Sequence, residues 1–360
     1  MRAAVFRHGD IVVDRLADPI PASGQVLVKT LACGICGSDL HARRHAPKLV
    51  DMARRAGART TMDLARDVVF GHEFCSEVVA HGSDTARNLK PGTRVCSMPI
   101  TVVAERAYSV GYSNDMPGGF GELMVLSERF LLPVPNGLSN EQAALTEPMA
   151  VGWHAVEKAS LTADDVPLVI GCGPVGLAVI AGLKLKRLQP IIAADFSPLR
   201  RALAQATGAD VVVDPAIHSP YRRWAEMAEP AGYDAAGLAA LFRLGPQPRP
   251  AVVFECVGVP GILQQVLEGA PRDARIIVVG VCMEPDRIEA LFAIRKQLNL
   301  QFVVGYTAEE FALTLRHLAE GAIDGTPMIT GHVGLDAVKD AFTDLADPVR
   351  HAKILVEPWR

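Results

Sequence analysis

The sequence predicts an α/β protein in which a doubly wound parallel-sheet domain is joined to a β-rich domain. Three observations predict it. Short β-type runs fill residues 1 to 148, separated by Gly, Pro and Asn in PASGQ, KPGTR and PNGLS. From 149 to 305, wholly apolar runs alternate with helical patterns, the signature of a parallel sheet covered on both faces. A glycine-rich turn stands where the first of those runs meets the first helix.

Taken in order, runs 3–6, 26–30, 77–80 and 129–134 read as strands of the first domain. Runs 167–170, 190–194, 210–213, 251–256, 274–281 and 300–306 read as strands of the second. The tail, 306–360, carries two helix patterns, AEEFALTLRHLAEG and LDAVKDAFTDLA, and a last strand in HAKILVEP. It is assigned with residues 1–148 to one domain, leaving 149–305 as the other. Segments 42–67 and 221–250 look inserted. The first is basic (Arg43, Arg44, Lys48, Arg54, Arg55) with apolar spacing at Leu49, Met52 and Ala53. It is either a helical lid over a substrate pocket or a solvated surface helix.

Composition narrows the classes of function. The 360 residues suffice for two domains with sizeable cores. Apolar residues make up 49% and charged residues 21%, which excludes a disordered or fibrous chain. The net charge of −4, with no long basic run, argues against nucleic acid as a partner. The longest uncharged run, 168–183, is too short and too interrupted to span a membrane. The amino-terminal segment has no apolar signal region. Seven cysteines, an odd number in a long chain, are expected to stay reduced, which points to the cytoplasm.

PLVIGCGPVGLAVIAGLKL places Gly171, Gly173 and Gly176 in G-x-G-x-x-G spacing, with Pro174 and Val175 between. A preceding apolar strand and a following helix turn a weak motif into a Rossmann dinucleotide site. The first glycine allows the turn, the second lets backbone approach the pyrophosphate, and the third lets helix pack on strand. Asp195, at the end of the next strand, suits the two ribose hydroxyls and would repel a 2′-phosphate, so NAD is expected over NADP. Arg200 is close enough in sequence to reach the ribose or a phosphate.

LACGICGSDLH supplies Cys36, Ser38 and His41; VVFGHEF supplies His72 and Glu73; ALTEPMAVGWHAV supplies Glu147. Thiolate, imidazole and carboxylate from separated segments suit an open catalytic zinc site rather than a closed structural one. Cys33 and Cys36 also make a C-x-x-C, but no thioredoxin-like βαβ context surrounds it.

These motifs resemble the medium-chain, zinc-dependent alcohol dehydrogenase superfamily, closest to its sorbitol and threonine dehydrogenase branch. The resemblance spans nearly the whole chain. It implies a GroES-like catalytic domain, with Cys36 and His72 as zinc ligands. It makes Glu73 either a ligand or the adjacent acid. Glu147 stands where this branch has a Glu in place of a second thiolate. Ser38 matches the hydroxyl that takes the alcohol proton, and His41 the far end of that relay. The implied reaction moves a hydride between a small alcohol or carbonyl substrate and NAD, in a homodimer or homotetramer. Two departures stand out. Relatives with a structural zinc carry four close cysteines where this chain has only Cys96, so one zinc per chain is expected. Ser76 replaces the glycine expected three residues after the Glu of GHE. The competing readings are a zinc-free quinone or enoyl reductase of the same superfamily, which would lack the Cys/His/Glu set, and a non-catalytic protein on this scaffold.

Overall fold

The computed structural model describes residues 1–58, 62–234, 237 and 242–360. Residues 59–61, 235–236 and 238–241, inside the two inserted segments, lie outside the described residues. The chain divides into two compact units, Met1–Ala150 with Thr307–Arg360, and Val151–Tyr306.

The first unit is built on the strand Gln25–Gly34, whose alternating residues are buried. It pairs antiparallel with Glu73–His81, Leu123–Ser127 and Lys353–Val356. Arg94–Ser97 and Leu131–Pro133 extend the sheet on one side, and Ile329–Val333 on the other. Val26, Val28, Phe74, Met124, Leu126 and Val356 face one apolar core. The register sets the active site: Gly34 lies opposite both Glu73 and Leu355. A Cβ on Gly34 would stand 2.0 Å from Glu73 Oε2, so only glycine lets that carboxylate lie against the neighbouring strand.

The expected strand 129–134 is shorter. Glu128–Phe130 form a 3₁₀ turn before Leu131–Pro133. The Glu128 carboxylate accepts the backbone N–H groups of Ala86 (2.5 Å) and Arg87 (2.7 Å), which ties the turn to another loop. The basic segment is helical, but the helix begins earlier, at Gly37, and runs to Arg55. It bends at His45 (φ −128°, ψ 28°), two residues before Pro47, whose ring cannot fit the preceding turn and which has no N–H to give.

The second unit is a six-stranded parallel sheet. Numbered along the chain its strands are Val166–Ile170, Ile192–Ala194, Val211–Val213, Ala251–Glu255, Arg275–Val278 and Asn299–Phe302, in the spatial order 3-2-1-4-5-6. That is the dinucleotide-binding order. The helices Pro198–Thr207 and Pro220–Ala228 open on Ser197 and Ser219, whose hydroxyls accept the N–H of Arg200 and Arg222. Residues 221–228 are therefore no insertion. They belong to the crossover helix that a parallel connection requires, with Trp224 buried and its Nε1 donating to Val166 O at 3.1 Å.

Glu255 ends the fourth strand nearly buried. Burial raises its pKa and Asp286 adds to that, while the N–H groups of Gly258 and Val257 only partly offset them. Folding thus favours the protonated carboxyl. Its stabilising contribution is full below the ordinary carboxylate range and is lost as pH rises through the raised folded value. Glu255→Gln keeps an acceptor for both N–H groups and removes the titration. Its thermal midpoint should match or exceed the native one at pH 7, and that advantage should vanish by pH 4. An advantage that grows on acidification would contradict this.

Candidate active site

Cys36 follows the central strand and caps the helix Gly37–Arg55. Its N–H donates to Asp39 Oδ2 at 3.0 Å, which fixes the first turn. His72 immediately precedes the strand Glu73–His81. The ligand atoms of Cys36, His72 and Glu73 all lie within 4.8 Å of one another, with Cys36 partly exposed and the other two buried. Ser38 Oγ stands 3.5 Å from His72 Nε2. On the other side of the imidazole, Asp39 Oδ1 is 3.4 Å from Nδ1. The alignment falls short of a hydrogen bond, and Nδ1 is buried without a partner.

Zinc fits this arrangement. The donor set is the one zinc prefers, and a carboxylate behind a ligating imidazole orients the ring and raises its basicity. The electrostatics agree. Burial works against a charged His72, yet Asp39 and the Cys36 thiol outweigh it and carry its pKa well above the ordinary value. Surroundings that favour positive charge at His72 also suit a metal cation once the ring has given up its proton.

Glu73 is tied elsewhere as well. Lys353 Nζ, fully buried, donates to Oε1 at 2.8 Å and Oε2 at 2.6 Å, and to Ile35 O at 3.1 Å. Burial lowers the lysine pKa, but Glu73 more than reverses that and keeps the ammonium charged. Glu147, partly exposed in the first turn of Thr146–Lys158, lies outside the 4.8 Å group. Its charge still acts on Lys353. His41 is one turn beyond Ser38 on the same helix, half-buried, and no hydrogen bond joins the two. Burial, then His45 and Arg44, lower its pKa. Cys33 is completely buried, which pushes its thiol well up and leaves it inert.

In the second unit, Gly171 takes φ +90°, and a Cβ on Gly176 would meet Gly171 O at 1.9 Å. The helix Pro174–Leu185 therefore packs directly on the turn, with Pro174 and Val175 in its first turn and Gly173 as its cap. Asp195 is held by backbone: Cys172 N–H donates to Oδ2 and Ser197 N–H to Oδ1, each at 2.8 Å. Arg200 reaches over the glycines, its guanidinium within 4 Å of the position a Gly173 Cβ would take. Its Nε is buried without a partner. An unsatisfied cationic donor over a helix N-terminus fits a phosphate-bearing cofactor.

Three residues of the metal site escaped sequence reasoning. Lys353 left a signal, because a lysine that opens a buried strand, directly before the apolar run ILV, must find a buried acid. Asp39 lay in view inside GSDLH without a role. Tyr112 gave no signal at all.

Residues 22–136 match the alcohol dehydrogenase GroES-like domain and residues 174–320 the zinc-binding dehydrogenase domain. The chain is 31% identical to (R,R)-butanediol dehydrogenase of Bacillus subtilis, over 99% of this chain and 100% of that protein. It is 26% identical to sorbitol dehydrogenase of Bos taurus, over 94% and 90%. The crystal structure of 2R,3R-butanediol dehydrogenase from Bacillus subtilis superposes with a TM-score of 0.80 at 30% identity, covering 99% of each chain. The chain belongs to the zinc-dependent medium-chain alcohol dehydrogenase superfamily, in its polyol-dehydrogenase-like branch. It is an oxidoreductase for alcohol and carbonyl substrates that uses zinc and a nicotinamide cofactor.

Proposed function

We propose that the enzyme oxidises a secondary alcohol or polyol to the carbonyl compound with NAD, using one zinc per chain. The observation that carries this reading is the Cys36–His72–Glu73 group beside the Ser38 hydroxyl. Cys36, His72 and a carboxylate, Glu147 or Glu73, hold the metal. Among the described residues no other group of three or more such side chains offers ligand atoms this close, which supports a single zinc.

When bound, zinc supplies a Lewis acid that eases loss of the alcohol proton, and NAD supplies the hydride acceptor. The protein does the rest. Asp39 backs His72, and Lys353 fixes Glu73. Ser38 takes the alcohol proton. His41, its pKa lowered by burial and then by His45 and Arg44, receives a proton at the end of the relay.

Gly171, Gly173 and Gly176 admit the pyrophosphate, with Arg200 as its cationic contact. Asp195 receives the adenosine ribose. Both Asp195 oxygens already accept backbone N–H groups, so the carboxylate is held in place. The named relatives act on diols and polyols, which supports the choice of substrate. The edge strand Asn299–Phe302, with Phe302 and Val304 strongly exposed, suits pairing with a second copy in a homodimer or homotetramer. Among the described residues no helix is long and apolar enough to cross a membrane.

The reading is tested by stripping metal with a chelator and following NADH at 340 nm over a panel of diols and polyols. Activity should disappear and return with zinc; full activity in a metal-free sample would refute it. With NADP, kcat/KM should fall about tenfold or more, since a like-charge contact costs upward of 1 kcal/mol. Asp195→Ser should narrow that gap. Equal use of both cofactors by the native enzyme would remove Asp195 as the selector.

A further inference from the structure

Tyr112 enters the metal site from a loop far away in sequence. The loop follows the hairpin Ile100–Val103 and Arg106–Ser109, and its backbone is closed by Tyr112 N–H donating to Ser109 O at 3.2 Å. The ring sits between Phe70 and His72, with centroids 5.7 Å and 5.3 Å away. Its hydroxyl lies 2.9 Å from Ser38 Oγ and 2.9 Å from Asp39 Oδ1.

Proton counting decides which way these bonds run. A contact of 2.9 Å between two oxygens needs one hydrogen between them. An ionised carboxylate has none to give, so the phenol must donate to Asp39. Tyr112 has then spent its only hydrogen. The Ser38 contact must be filled by the serine hydrogen, which points at Tyr112 Oη. Only lone pairs of Ser38 remain for the side that faces His72 Nε2.

We propose that Tyr112 is a positioning residue that locks Ser38 as a hydrogen-bond acceptor, so that the site selects a ligand bearing an O–H over one that can only accept. Asp39 anchors the lock. The same carboxylate oxygen that receives the Tyr112 hydrogen faces His72 Nδ1, so one acid lies beside the metal-ligating ring and anchors the proton-accepting hydroxyl. Distant chain segments thereby agree on one hydrogen-bond direction before substrate arrives. Preorganisation of this kind spares the alcohol the cost of turning the hydroxyl when it binds; passing the proton on toward His41 then requires Ser38 to release its hydrogen from Tyr112.

The inference rests on the dehydrogenase reading above, and its test separates the two. Two competitive probes of the alcohol site are compared by calorimetry on zinc-loaded protein with bound cofactor: trifluoroethanol, which offers an O–H, and dimethyl sulfoxide, which only accepts. Tyr112→Phe keeps the ring packing and frees Ser38 to rotate. Trifluoroethanol should weaken about tenfold or more, the effect expected of one hydrogen bond to a charged network, while dimethyl sulfoxide holds or tightens. Zinc content should be unchanged. On a Ser38→Ala background, Tyr112→Phe should add nothing, because the effect passes through that hydroxyl. Equal weakening of both probes, or additive losses, would overturn the proposal. Should the variant fail to fold, neutron diffraction of the native crystal decides. Deuterium must lie between Tyr112 Oη and Asp39 Oδ1, and on Ser38 directed at Tyr112; any other placement overturns the lock. Failure of trifluoroethanol to bind the native holoenzyme would instead sink the dehydrogenase reading.

Discussion

Cys36→Ala should abolish turnover while leaving the nucleotide site intact. Cys36 supplies the only thiolate of the metal group, and the other two donors do not replace it: Glu73 is shared with Lys353, and His72 alone holds zinc weakly. Loss of the metal removes several kcal/mol of transition-state stabilisation, so kcat should drop by about three orders of magnitude or more. The nucleotide site draws on none of these residues. Gly171, Gly176, Asp195 and Arg200 belong to the other unit. NADH fluorescence titration should therefore give a native dissociation constant, and metal analysis should show zinc well below one per chain. A variant that keeps its zinc would place the thiolate outside the metal shell. A variant that loses NADH binding would show that the two sites are not independent.

How far the sequence reveals this protein follows from how local each feature is. The nucleotide site is legible because its parts are contiguous: strand, turn, helix and acid lie between 166 and 195, and Gly176 answers to the nearby Gly171 O. Cys36, His72 and Glu73 are legible because their residue types announce a metal. Their supporting shell is not. Glu73 and Lys353 are 280 residues apart, and Tyr112 lies 74 residues from Ser38, so only the folded sheet brings them together. Short elements are hidden for another reason. Val68–Val69 has too few residues to show a period, and Asp10–Arg15 mixes charges with the apolar Ile11, Val12 and Val13. The helix Gly37–Arg55 was legible in its apolar spacing but not at its start. There a cysteine serves as cap with Asp39 three residues on, in place of the usual Ser, Thr or Asp.

Lys353→Met should be the most destabilising single change in the first unit. The Glu73–Lys353 pair is sealed from solvent, with each side chain about 1% exposed. Removing one partner strands the other as a buried charge, which costs about 3–5 kcal/mol. Ile35 O also loses its donor. Urea unfolding of the metal-free protein should show the loss. The double variant Glu73→Gln with Lys353→Met should recover most of it, because a neutral amide leaves no charge to strand. The same variant reports on the metal. If Glu73 ligates zinc, a cation replaces the missing ammonium, and zinc stabilises Lys353→Met more than it stabilises the native chain. The penalty measured with zinc bound is then smaller than the penalty without it. If Glu147 is the ligand and Glu73 serves only the sheet, zinc stabilises both proteins alike and the penalty stays constant. One thermodynamic square of metal and mutation therefore decides which carboxylate completes the site, without reference to turnover.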